Sequence, residues 1–340
     1  MENATREELV DIWHDCFDVS DEFVRLYFTA KYRPGRARAY RENGRVVASL
    51  ILVPYRAATP GRVVDLAYVA GACTREERRG EGIMTRLLAD SLRDARAGGY
   101  ALSALIPSGE GLFEYYKRSG YSAVFDRARV EERDDGHDYP LSVTREISPG
   151  EARAFLDARL PPSGTRVLHD SEDFEAIAEE LALSGGAIIA AFSPGDLIEG
   201  VALVAPEDGK VIIKEEISDT PGARHALARA ITTCWPGKKQ EWTRIPGPAD
   251  ATKPYGMARV LDAGLFLRLH AARHPGQCRL LQVVDEIIPG NNGTFALEHG
   301  HCRRVQGVTG RSVERMNIEE LTGFLLRDDI YPPYMNLMMD

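Results

Sequence analysis

A chain of 340 residues is too long for one ordinary hydrophobic core and calls for two or three domains. Its hydrophobic content of 44% and charged content of 27% are those of a soluble globular protein. A formal net charge of −9 argues against general nucleic-acid binding, which wants a basic face, and leaves room for a cationic substrate.

The five cysteines (16, 73, 234, 278 and 302) are scattered, with no CxxC and no Cys/His cluster at zinc spacing. They read as reduced thiols of a cytoplasmic protein, and no metal site is expected. The start, MENATREELVDIW, is polar and acidic, unlike a secretory leader. No apolar run approaches the ~20 residues of a membrane span, so no membrane partner is expected.

In chain order, residues 5–29 carry Leu9, Ile12, Trp13, Phe17, Phe23, Leu26 and Tyr27 at helical spacing, with Ser20 and Asp21 as caps between two helices. ARAYRENGRVVASLILV comes next, with Asn43-Gly44 between two strand-like runs, the strongest short hairpin signal. RVVDLAYVAGACT (62–74) is a third strand. It leads to TREERRGEGIMTRLL and a helix whose inner face is Ile83, Met84, Leu87, Leu88, Leu92 and Ala95, closed by Gly98-Gly99. YALSALI is a buried strand, PSGEGLFEYYKRSG a turn and short helix ending at Gly120, and YSAVF a further strand. The order α-α-β-β-β-α-β-α-β makes residues 1–130 a mixed α/β domain.

EERDDGHDYP (131–140) reads as a linker. Over 131–262 the pattern partly recurs: helices start at Ser148-Pro149 and Ser171, strands GAIIAAF, LIEGVALVA and GKVIIKEEI come after them, and then the helix ARHALARAITTCW. Its start offers only Pro221-Gly222. In 263–340, CRLLQVVDEIIPGNNGTFALEHGHCRRV reads as strands around an Asn292-Gly293 turn, with His299 and His301 on one strand face. SVERMNIEELTGFLL reads as helix, with Asn317 and Glu320 as a cap pair. The end is YPPYMNLMMD.

Gly80-x-Gly82 admits three phosphate-binding readings. A P-loop needs a lysine that is absent here. A dinucleotide fingerprint needs GxGxxG directly off a strand, whereas here the third glycine is Thr85 and polar residues intervene. The third is a pyrophosphate cradle at a helix start, where four amide groups are unpaired and the dipole is positive. Glycines let an anion approach, Arg78 and Arg79 add charge, and Glu81 has to point outward. Against these stands a plain helix cap beside a solvated pair of arginines.

The strand before the glycines, the helix after, YALSALI and FEYYKRSGY together resemble the acetyl-CoA half of the GCN5-related N-acetyltransferases. That family's pyrophosphate motif matches Glu77-Arg78-Arg79-Gly80-Glu81-Gly82, with Glu77 standing where Gln or Arg is usual. The resemblance implies an acetyl-CoA co-substrate held by Ala70, Gly71, Ala72, Arg78, Arg79, Gly80, Glu81, Gly82 and Ile83, with Ser108 and Gly109 as further contacts. A second, motif-poor unit and a last unit with IPGNNGTF resemble the enhanced-intracellular-survival type, which carries two acetyltransferase-like domains and a sterol-carrier-like third. The implied fold is α/β (α+β), with a mixed central sheet, and the resembled type forms symmetric homo-oligomers.

Acetyl transfer from a thioester to an amine needs the coenzyme held, the carbonyl polarised, a proton taken from the amine and one given to the thiolate. The resemblance places a strand bulge near Ala72 for the carbonyl and makes Tyr116 the acid. It makes the terminal carboxylates of Asp340 the base, with deprotonation by water as the alternative. Cys73 has no nearby histidine and reads as inert. Phe23, Tyr27 and Phe28 are the guesses for an acceptor pocket. The expected activity is N-acetylation of a primary amine of a small molecule, peptide or lysine. The alternative is a non-catalytic scaffold or sensor that binds acetyl-CoA or lipid.

Overall fold

Two capped helices open the fold. The Thr5 hydroxyl accepts the Glu8 amide and the Glu8 carboxylate accepts the Thr5 amide, starting α1 (Arg6–Cys16), while Ser20 caps α2 (Asp21–Lys31). Asn43 and Gly44, both at positive φ, join β1 (Ala37–Glu42) to β2 (Arg45–Thr59) as an antiparallel hairpin. Then come β3 (Arg62–Thr74), α3 (Ile83–Ala97), β4 (Leu102–Leu105), α4 (Glu110–Lys117) and β5 (Ser122–Val130). The computed structural model describes residues 4–130, 137, 139–160, 164–244, 246, 250–306, 312–327 and 332–339. Most of the expected linker lies outside them.

The pattern repeats with β6 (Ser142–Thr144), α5 (Pro149–Arg159), β7 (Arg166–Leu168), α6 (Ser171–Leu183), β8 (Ala187–Phe192), β9 (Ile198–Glu207), β10 (Lys210–Ser218), α7 (Pro221–Cys234), β11 (Lys239–Arg244) and β12 (Thr252–Val260). These strands share one mixed sheet, in the order β1-β2-β3-β4-β12-β5-β11-β10-β9-β8-β6, with β7 on β2. β12 lies antiparallel between β4 and β5, with Met257 facing both Leu105 and Ala123.

β11 and β12 carry no alternating pattern in the sequence. Pro254 and Gly256 even read as breakers. At Gly256 the end of the Met335 side chain packs where a Cβ would stand. Among the described residues, no helix is long and apolar enough to cross a membrane.

Helices α1 and α2 cover one face of the first half, where Trp13, Tyr27 and Phe28 pack ring on ring, with Trp13 4.9 Å from each of the other two. Tyr27 and Phe28 are thus core rather than open pocket wall. On the opposite face Ile83, Leu87, Leu88, Leu92 and Ala95 of α3 are buried as their spacing predicts, and Met84 is half-buried.

The last unit contains α8 (Ala263–Arg273), β13 (Arg279–Val284), β14 (Gly293–Glu298), β15 (His301–Val305), β16 (Glu314–Asn317) and α9 (Ile318–Leu326). Its sheet runs β15-β14-β13-β16. Asn292-Gly293 does not form the expected tight turn. Residues 285–292 connect β13 to β14 through a short 3-10 turn, Pro289–Asn291, and Gly293 already belongs to β14. The tight turn comes one element later, at His299-Gly300, both at positive φ. His299 therefore leaves the strand face on which it was expected beside His301. The helix read from Ser312 starts only at Ile318, with Asn317 and Glu320 forming its capping box, because 314–317 pairs in parallel with β13.

Candidate functional site: a glycine-opened cleft

β3 pairs with β4 only through Leu66, Ala67 and Tyr68, and beyond Tyr68 the two strands separate. Just past that point β3 bulges. Ser49 faces Cys73 and Ile51 faces Ala70, so Leu50 opposes both Gly71 and Ala72. A bulge of this kind leaves a backbone group out of the ladder. Gly71 has φ +56°, and a Cβ there would strike the Trp13 indole. Only glycine satisfies both conditions.

Arg75 anchors the end of β3. Its amide donates to Val47 O at 2.9 Å and its Nε to Val46 O at 2.8 Å. Its guanidinium also pairs with Asp11 and Asp15 of α1, and the side chain is 1% exposed. The residue pattern alone assigns it no role. Its only sign is a lone arginine directly after a buried strand.

The chain then turns through Glu76–Arg78 to Gly80, at φ +82°, and Gly82, at φ +70°. Gly82 is the N-cap of α3, with no side chain to fill that role and no acidic residue in the first turn. The helix's first internal bond is Arg86 N to Gly82 O at 3.1 Å. The amides of Ile83, Met84 and Thr85 are thus left as donors at the positive end of the helix. They open on a cleft of ≈ 680 Å³ that Ala72, Cys73, Arg79, Gly80 and Tyr116 also line.

The charges differ in part from the sequence reading. Arg78 lines the cleft but pairs with Glu42 and, through Nη2 at 2.7 Å, with Glu81, so its charge is already balanced. Glu81 turns outward onto Arg78, which holds its carboxyl below the usual range. Glu77 faces Arg45 at 3.8 Å. Arg79 donates from Nε to Thr74 O at 3.0 Å. Arg118, overlooked in the sequence, lines the cleft without a carboxylate partner among the described residues and lies 5.9 Å from the Tyr115 ring centroid. Ala70 is buried in β3, while Ser108 and Gly109 sit at the start of α4, outside the cleft lining. Asp340 lies outside the described residues.

Tyr116 is buried, 8% exposed, and its ring packs edge-on against Tyr115 at 5.1 Å and Tyr121 at 6.0 Å. Burial, with Tyr115 and Cys73 beside it, pushes its phenol up to about 12. Tyr115 instead reaches Thr85 Oγ1 at 3.2 Å. The neighbouring Cys16 thiol and burial raise Cys73 well above the usual thiol range, so it is a poor nucleophile. Its Sγ lies 3.5 Å from Ser49 Oγ. Cys73, by its hydrogen bond, and the Arg79 guanidinium pull Cys16 down to about 7.

Two ties join residues far apart in the sequence, the first of them at the end of α4. Arg259 donates from Nε to Ser119 O at 2.8 Å, just past α4, and pairs with Asp285 at 2.7 Å, both side chains fully buried. Near the chain end, Met335, Met338 and Met339 are buried, and Asn336 Nδ2 donates to Lys214 O at 2.6 Å and Glu215 Oε2 at 2.8 Å. Arg127 donates to Asn336 Oδ1. Burial pushes the Glu215 carboxyl up to about 7.

Residues 1–124 match the family model described as acetyltransferase (GNAT) domain. No curated protein matches the sequence significantly. Among solved structures, a conserved protein of unknown function from Enterococcus faecalis V583, a probable N-acyltransferase, is similar at 19% identity and TM-score 0.70, covering 94% of this chain and 87% of that one. Eis1 from Mycobacterium abscessus gives 16% identity and TM-score 0.70 with the same coverage, 94% and 87%. A GCN5-related N-acetyltransferase from Kribbella flavida gives 18% and 0.70, covering 93% and 86%. At these identities the likeness is one of fold.

Proposed function

We propose that the chain is an acetyl-CoA-dependent N-acetyltransferase acting directly on a primary amine. The observation that carries this reading is the uncapped start of α3 opening on the same cleft as the β3 bulge and Tyr116. The amides of residues 83–85 would hold the pyrophosphate, with Arg79 and Arg118 as the cations still available to it. The β3 splay would take the pantetheine arm as an added strand.

At the thioester, a bulge amide near Ala72 would donate to the carbonyl oxygen as negative charge develops there. The amine nitrogen forms the new bond to the carbonyl carbon and gives up a proton to the Asp340 carboxylates or to water, and the carbon–sulfur bond breaks. Tyr116 stays protonated at neutral pH, so its O–H is ready to donate to the leaving sulfur. The same burial that raises the phenol also raises the basicity of a thiolate beside it, which keeps that proton shift feasible.

We read 1–130 as the coenzyme domain, 131–262 as a degenerate second unit that lends β12 to the first, and 263–340 as a sterol-carrier-like scaffold. Cytoplasmic residence goes with the reduced-thiol reading of the sequence. The test is thiol release from acetyl-CoA with a panel of primary amines. Tyr116→Phe is expected to lower kcat roughly 100-fold at unchanged KM for acetyl-CoA. Full turnover in that variant would remove Tyr116 as the acid, and saturable binding with no release from any amine would favour a non-catalytic role.

A further inference from the structure

The segment IPGNNGTF, unused by the transfer chemistry, lines a cleft of ≈ 780 Å³ beside the last turns of α3, whose first turn opens on the cradle. Arg93 and Arg96 of α3, Arg268 of α8 and Arg304 of β15 face it, against one lining carboxylate, Asp262. Arg96 is balanced by Asp262 at 2.9 Å and Arg93 by Asp90. Arg304 donates to Asn292 O, and Arg268 has no hydrogen bond or ion pair among the described residues. Two guanidinium charges are therefore uncompensated in one concavity of a chain whose net charge is −9.

The wall is rigid before any ligand arrives. Asp285 Oδ1 accepts the amides of Ile287 and Ile288, both at 2.9 Å. Asn291, 3% exposed, accepts the Ala263 amide at 3.0 Å and donates to Asp285 Oδ2 at 2.9 Å. A preset wall lowers the ordering cost of binding. Ile288 and Phe295 give the cleft an apolar side.

We propose that this cleft binds a soluble phosphate ester carrying at least two negative charges, separately from the Gly80 cradle. Guanidinium forks match phosphate oxygens in pairs, two unbalanced arginines suit a dianion, and the apolar side takes a small organic body. The chain's net charge of −9 opposes a longer polyanion such as a nucleic acid.

The test is calorimetric titration of inorganic pyrophosphate into the whole chain already saturated with coenzyme A, so that the cradle is filled. One site is expected, weakened by rising salt and about tenfold or more by Arg268→Gln, with Arg268→Lys, which keeps the charge but not the fork, losing less than Arg268→Gln. No heat, or a heat that Arg268→Gln leaves unchanged, overturns the proposal. If coenzyme A itself fails to bind, the cradle is at fault, and the effect of Arg268→Gln still reports on this cleft.

Discussion

The two halves of the long sheet use one plan and end differently. α1-α2-β1-β2-β3-α3-β4 in the first corresponds to α5-α6-β8-β9-β10-α7-β11 in the second, with β7 interposed. In each, the third strand bulges where its parallel pairing to the strand after the helix stops, past Tyr68 in one and past Ile213 in the other. At the start of α3 a glycine leaves the amides open. At the start of α7 the Thr220 hydroxyl accepts the Ala223 amide at 3.1 Å, and Pro221 has no amide hydrogen to offer. The first bulge, at Gly71, opens on a cleft, whereas the second is occupied by Asn336. The shared backbone plan therefore does not confer binding. On the proposed reading, unspent donors and an unfilled splay would, and the second half has satisfied both internally.

The largest expected break of this contrast is Gly71→Ala, which adds a Cβ at positive φ against the Trp13 ring. It should cost about 3–4 kcal/mol in urea unfolding and abolish acyl transfer. Gly82→Asp comes next. Asp tolerates the left-handed conformation, so the fold should survive, but the carboxylate competes for the free amides. Calorimetry should find coenzyme A affinity lower by about a hundredfold, near 2.7 kcal/mol.

In the second half, the folded-state Glu215 carboxyl titrates near 7 instead of 4.5, so the native state holds its proton longer than the unfolded chain. Its contribution to stability is present below pH 4.5 and is lost as pH rises through 7. Unfolding free energy should fall by about 2 kcal/mol between pH 5 and pH 8, and Glu215→Gln should flatten that decline. The smallest effect is Thr220→Ala, expected to cost ~1 kcal/mol of stability without creating a coenzyme site, because Pro221 still removes a donor.

The sequence made the contrast between the two helix starts partly visible. Gly80-x-Gly82 against Pro221-Gly222 is a local signal, as are the Thr5/Glu8 and Asn317/Glu320 caps and the Asn43-Gly44 turn. What stayed hidden depends on partners far along the chain. Arg78 looked like a phosphate ligand until Glu42 came to meet it from the β1–β2 hairpin. Arg75, Arg259 and Asn336 gain their roles only when α1, Asp285 and β10 are brought to them. β12 is a strand because β4 and β5 receive it, not because TKPYGMARV favours extended structure.

A crystal structure of the chain with coenzyme A tests the central claim most directly. The diphosphate should lie within hydrogen-bonding distance of the amides of Ile83, Met84 and Thr85, with its thiol end at the β3 bulge beside Tyr116. A diphosphate seated at the start of α7, or anywhere else away from Gly80 and Gly82, would contradict it.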